Sequence, residues 1–126
     1  MQHRIMKWQP ITETQIWDEI NSSWERMSIP QRRLWEVIRI VPEKWVQNPW
    51  GNEGKGFWVV GLIGNSVVWY NDIEEGFNKS TFTKYGEINE YWCNQDELEW
   101  AVQHIINEIN DGYDSAGYDS PPQPIA

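Results

Sequence analysis

The sequence has one cysteine, Cys93, among 126 residues, and only two histidines. A single cysteine excludes an internal disulfide, and nothing shows the paired spacing of a zinc site; the expectation is a reducing compartment, with no metal and no other cofactor. Basic side chains are also scarce, 10 lysines and arginines against 19 aspartates and glutamates, for a formal charge of −9. Affinity for DNA or RNA comes largely from basic groups displacing counterions from phosphate, so neither nucleic acid nor an anionic membrane is an expected partner. No apolar run is long enough to cross a bilayer, and "MQHRIMKWQPITETQ" lacks the apolar stretch of a signal peptide, so the chain reads as cytoplasmic. What is in excess is tryptophan, ten residues beside three phenylalanines, well above average usage.

A chain of this length suits one domain with one main core. "ITETQIWDEINSSWERM" opens on a capping box, Thr12 with Gln15, and places Ile16, Trp17, Ile20, Trp24 and Met27 on one helical stripe, with Asp18, Asn21, Ser22 and Glu25 turned away. Pro30 is read as the close of that segment. "RRLWEVIRIV", Arg32 to Val41, is rich in β-branched residues and is assigned as a strand. "GFWVVGLIG" and "SVVWYND" are the clearest strands, and Gly64-Asn65 between them suits a tight hairpin. A turn at Glu74 to Asn78 then leads into a fourth strand, "STFTKYGEI", Ser80 to Ile88. "NQDELEWAVQHIINEIN" is a second helix, with Asn94 as cap, Glu97 reaching back and a buried stripe of Leu98, Ala101, Val102, Ile105 and Ile109. Trp100 lies about 200° round from that stripe. From Gly112 onward "GYDSAGYDSPPQPIA" has too few apolar groups to offset the entropy of ordering it, so residues 112–126 are expected to form a disordered tail after a domain over 1–111.

The resulting fold class is α+β: a four-stranded antiparallel meander flanked by an N-terminal and a C-terminal helix. Strict alternation gives Phe57, Val59, Gly61 and Ile63 to one face and Trp58, Val60 and Leu62 to the other, and the next strand sets Val67 and Trp69 against Val68 and Tyr70. Both faces are apolar, unlike a sheet with one wet face. Either the helices lie on opposite faces, or both lie on one and the second face meets something else.

Three features carry candidate chemistry. "VVWYNDIEEGFN" passes from strand to a run of turn formers, and Asp72, Glu74 and Glu75 there suit a solvated turn, contact with a basic protein or a cation, although the spacing of a calcium loop is missing. The long connection "PEKWVQNPWGNEGK" holds Trp45 and Trp50, which either fold over the core edge or serve as anchors at an interface or in a sugar-binding cleft. Its "GNEGKG" is not a phosphate-binding loop. Trp100 lies flat on its own helix, is covered by the N-terminal segment around Trp8, or meets a partner, which leaves a homodimer open. His3, His104 and Cys93 have no neighbours in sequence that would make a general base or a nucleophile.

In "GFWVVGLIGNSVVWYNDIEEGFN" and "NQDELEWAV", as in size, strand-rich centre and charge, the chain resembles small acidic cytoplasmic bacterial proteins of the toxin-immunity type. The resemblance brings no invariant motif and no functional residue. It implies a stoichiometric protein-binding module that blocks a basic toxin or enzyme by presenting carboxylates and aromatics; the residues read above supply Trp45, Trp50, Asp72, Glu74, Glu75 and Trp100 as partner-binding candidates. The alternative is a carbohydrate or small-ligand binder that stacks its ligand on Trp45, Trp50 and Trp58; an enzyme with an Asp/Glu pair is a third.

Overall fold

The structure, a computed structural model, describes residues 8–47, 49–52, 55–112 and 123–124. Helix α1 (Glu13–Arg26) begins at the expected capping box: the Thr12 hydroxyl accepts from the Gln15 backbone N–H, and the Gln15 side chain accepts from the Thr12 N–H at 2.9 Å. Helix α2 (Ile29–Ile38) occupies most of the segment assigned above as a strand. The correction has a local cause, since Ser28 and Gln31 form a second capping box and Pro30 sits in the first turn, where its missing N–H and fixed φ are tolerated. Read as a terminator, the proline hid a helix start.

Strand β1 (Arg39–Trp45) follows directly, then β2 (Phe57–Ile63), β3 (Ser66–Asn71) and β4 (Gly76–Thr81), paired antiparallel in the order β1-β2-β3-β4. The fold is α+β, with helices on the N- and C-terminal sides of an antiparallel meander. The β2–β3 hairpin turns at Gly64-Asn65, with Gly64 at φ 57°, as the sequence indicates. The next turn is tighter than expected, Asp72 to Glu75, so β4 starts at Gly76 and ends before Phe82. Asn78, expected in the turn, and Ser80, expected to open the fourth strand, are both buried in β4, where the Ser80 hydroxyl accepts from Trp69 Nε1 at 2.9 Å and Asn78 bonds both backbone groups of Asn94. Beyond β4 the chain makes a loop, then β5 (Glu90–Tyr91), which pairs antiparallel with β6 (Gln123–Pro124). The rest of the expected tail, 113–122 and 125–126, lies outside the described residues.

Helix α3 (Leu98–Asp111) starts three residues later than the Asn94 cap predicts. Asn94 is engaged with Asn78, and the Asp96 carbonyl accepts from the Phe77 N–H, so this stretch covers the edge of β4 before the helix begins. Leu98, Ala101, Val102 and Ile105 are buried as expected, but Ile109 is exposed. No helix of the described residues is long and apolar enough to cross a membrane.

All three helices lie on one face of the sheet. Ile16, Ile20, Met27, Trp35, Ile38, Leu98, Val102 and Ile105 pack there against Val60, Val68, Tyr70 and Phe77. The other face is covered by the chain itself: Ile88 and Tyr91, with Phe82 and Trp92, close over Trp45, Phe57, Val59, Val67 and Trp69. A bulge in β2 accounts for a miscounted alternation. Val59 pairs with Trp69 and Gly61 with Val68, leaving Val60 extra, so Gly61 faces the helices with Val60. A methyl on Gly61 would sit 3.2 Å from Trp35 Cζ3.

Candidate functional site

The residues before α1 are tied to the sheet by three hydrogen bonds. Asp72 accepts the Ile11 backbone N–H on Oδ2 at 2.8 Å, Trp8 Nε1 donates to the Asp72 carbonyl at 3.0 Å, and Trp58 Nε1 donates to the Ile11 carbonyl at 3.0 Å. Asn71 shapes the turn below, its side-chain oxygen accepting from the Ile73 and Glu74 backbone N–H groups. Asp72 is therefore buried and not on an exposed rim. Burial pushes its carboxyl up from the ordinary value, against the Ile11 hydrogen bond and the charge of Lys44.

This tie forms one wall of a cleft of about 360 Å³, lined by Trp8, Gln9, Ile11, Gln15, Asp18, Glu19, Tyr70, Asp72 and Glu75. Asp18 and Glu19 come from the outward side of α1, and Glu75 from the tight turn, where it holds φ 60°. Four carboxylates line the cavity, and among the described residues no lysine or arginine lines it. Tyr70, at the end of β3, is only 8% exposed; its ring packs against Phe77 with centroids 4.8 Å apart. Its hydroxyl makes no hydrogen bond to another described residue. Burial, then the charges of Glu19, Glu75 and Asp72, push its pKa to about 12.

On its other side Trp8 lines a second, more apolar recess of about 310 Å³ with Pro49, Trp50, Gly51, Asn52 and Ile73. Trp50 is held there by stacking on Tyr91, with centroids 4.4 Å apart and planes 21° from parallel. The turn Asp72 to Glu75 thus stands between an acidic cleft and an aromatic one, with Trp8 common to both.

The structure separates the other candidates. Trp45 is 1% exposed, because it closes β1 and does not lie in a loop; its Nε1 donates to Glu43 at 3.0 Å and its ring meets Phe82 and Tyr85. It offers no free face for a ligand. Trp58 is half-buried, its indole N–H committed to Ile11 and its ring under the Lys44 ammonium at 4.9 Å. Glu74 gives its backbone carbonyl to Gln95 Nε2 and does not line the acidic cleft. Trp100 is exposed on α3, away from both recesses.

Trp8, Glu19 and Tyr70 were missing from the sequence-based candidates, and Asp18 was noted only as turned away from the core. For Asp18 that outward phase was the available signal. His104 Nδ1 lies 3.7 Å from Asp96, with no nucleophile in the pair. Among the described residues no group of three or more His, Cys, Asp or Glu is placed to hold a metal ion. No protein-family model, curated protein or solved structure matches this chain.

Proposed function

We propose that the chain is a protein-binding module that takes a basic partner at the acidic cleft, as an immunity or inhibitor protein does when it blocks a basic toxin or enzyme. One observation carries this: Asp18, Glu19, Asp72 and Glu75 come from two separate parts of the chain to line one concave site, with no basic group among its described lining residues. Such a site concentrates the field of a chain that carries −9 overall, which speeds encounter with a basic surface and selects against acidic ones. The apolar recess behind Trp8 supplies the contact area that charges alone do not.

The test is co-expression with the products of the genes that flank this one, basic proteins first, followed by co-purification at low and high salt. The expected result is a complex with one copy of each chain that Asp18→Asn/Glu19→Gln/Glu75→Gln weakens strongly. Failure to form a complex, or one indifferent to that triple change, would sink the proposal. The recess lined by Trp8 and Trp50 favours a second reading, a carbohydrate or small-ligand binder, since aromatic faces beside a few polar groups suit such ligands. Saturable quenching of tryptophan fluorescence by a sugar, abolished in Trp50→Ala, would support it.

A further inference from the structure

We infer that the acidic cleft receives one guanidinium group, an arginine side chain of the partner, and that the Tyr70 hydroxyl is one of its hydrogen-bond acceptors. This rests on the reading of the chain as a binder of a basic protein and names the group bound. The first support is Tyr70 itself. It is more than nine-tenths buried, lines the cavity and has no hydrogen-bond partner among the described residues. With the ring packed inside and no described residue bonded to it, the hydroxyl opens onto the cleft, and whatever pairs with it enters from there. Burial, and after it the charges of Glu19, Glu75 and Asp72, favour the neutral phenol, whose oxygen has lone pairs for a donor from outside.

The second support is how the acceptors are arranged. Asp18 and Glu19 stand on α1, Glu75 on the turn opposite, and Tyr70 at the end of β3. A guanidinium is planar and carries five N–H donors in a fixed fork, so it can address acceptors on several sides at once, whereas an ammonium is a compact and strongly hydrated point. The third is Trp8. Its indole N–H is fixed to the Asp72 carbonyl, which holds the ring as a wall of the cleft, and guanidinium stacks on aromatic faces better than ammonium does.

The experiment titrates the whole chain with three blocked tripeptides, glycyl-X-glycine amide with X as arginine, lysine or citrulline, following the Trp8 indole N–H and Tyr70 ring signals by NMR. Citrulline keeps the shape of arginine without its charge. Arginine is expected to shift both signals and to bind several-fold more tightly than lysine, with citrulline weaker by about tenfold or more. Tyr70→Phe keeps the ring and loses only the hydroxyl; it should weaken arginine binding about tenfold while leaving the denaturation midpoint unchanged or higher. Equal binding of citrulline, tighter binding of lysine, indifference to Tyr70→Phe, or no perturbation at about 10 mM peptide, where even a millimolar site is mostly filled, would each overturn the inference. The same variant separates this failure from that of the broader reading. If the triple carboxylate change releases the basic partner while Tyr70→Phe does not, the arginine assignment falls and the protein-binding reading stands; if neither releases it, both fall.

Discussion

The Ile11 backbone N–H donates to the Asp72 carboxylate at 2.8 Å, joining the segment before α1 to the end of β3 across 61 positions of sequence. Trp8 and Trp58 complete the tie on either side of it, so Asp72 holds Ile11 with its carboxylate and the Trp8 wall with its backbone carbonyl. Asp72 is thus a scaffold of the candidate site more than a contact in it.

Removing that acceptor should be costly in a way that depends on the replacement. Asp72→Ala leaves the Ile11 N–H without its partner and should lower stability by about 1–3 kcal/mol, while Asp72→Asn keeps an oxygen in place and should cost less. The pH dependence has a definite sign. Burial raises the folded-state pKa of Asp72 above its unfolded value, so its ionisation opposes folding at neutral pH and that penalty fades as pH falls through the folded pKa. The stability of the native chain relative to Asp72→Asn should therefore improve on acidification. Urea denaturation of both at several pH values down to about pH 4 checks it, and a difference that moves the other way would show that the Ile11 hydrogen bond dominates. Glu99 is the opposing case: burial pushes its carboxyl up, but hydrogen bonds from Arg26, its own backbone and Ser23 outweigh this and hold it low, so its contribution is lost as pH falls through its folded pKa.

Trp45 and Trp50, five positions apart, should behave as different kinds of residue. Trp45 is enclosed by Phe82 and Tyr85 and bonded to Glu43, so Trp45→Ala should cost about 3–5 kcal/mol. Trp50 stacks one face on Tyr91 and leaves part of itself in the apolar recess, so Trp50→Ala should cost only about 1 kcal/mol and show its main effect on partner or ligand binding. Denaturant midpoints for the two variants decide it; similar losses would mean that the recess is ordinary core.

The parts of the fold visible in the sequence are those specified within a few residues. Thr12 with Gln15 starts α1, Gly64-Asn65 closes the β2–β3 hairpin, and the spacing of Leu98, Ala101, Val102 and Ile105 marks the buried side of α3. The misassignments arose where a local signal has two meanings. Pro30 can end a helix or begin one, and Ser28 with Gln31 decides the matter. Strict alternation fails at Val60 because one extra residue in β2 changes which face the rest of the strand presents. Asn78 reads as a turn residue and Asn94 as a helix cap until their mutual hydrogen bonds are known. The site was least legible of all. Glu75 lay within the acidic run, but the cleft also needs Glu19 from a helix surface, Tyr70 from a strand end and Trp8 from before the first helix, and only the tertiary fold brings these together.

Trp100 remains a test of self-association. It is 53% exposed and lies opposite the buried side of α3, as its helical phase predicts. Trp100→Ala should change stability by no more than about 0.5 kcal/mol, as for a surface substitution away from special features. If α3 pairs with a second copy through this side chain, sedimentation at several concentrations will show the native chain associating and the variant monomeric. Identical sedimentation of the two would confine Trp100 to its own helix surface.

Glu75 joins local strain to the proposed function. It holds φ 60°, a left-handed conformation that costs a residue with a side chain about 1–2 kcal/mol and glycine almost nothing, and its carboxylate lines the same cleft as those of Asp18, Glu19 and Asp72. Like charges lining one cavity repel one another, so strain and repulsion both act against the folded state. Glu75→Gly relieves both and should raise stability by roughly 1 kcal/mol after the added freedom of the unfolded chain is counted. Glu75→Gln keeps the strained backbone and removes only the charge, so it should gain less. Both should slow association with the basic partner by a similar factor, most clearly at low salt, because the charge and not the backbone attracts it. Denaturation together with stopped-flow association at two salt concentrations separates the contributions. A Glu75→Gly variant that is more stable and binds as fast as the native chain would remove Glu75 from the site; one that is less stable would show that the side chain holds the turn through contacts worth more than its strain.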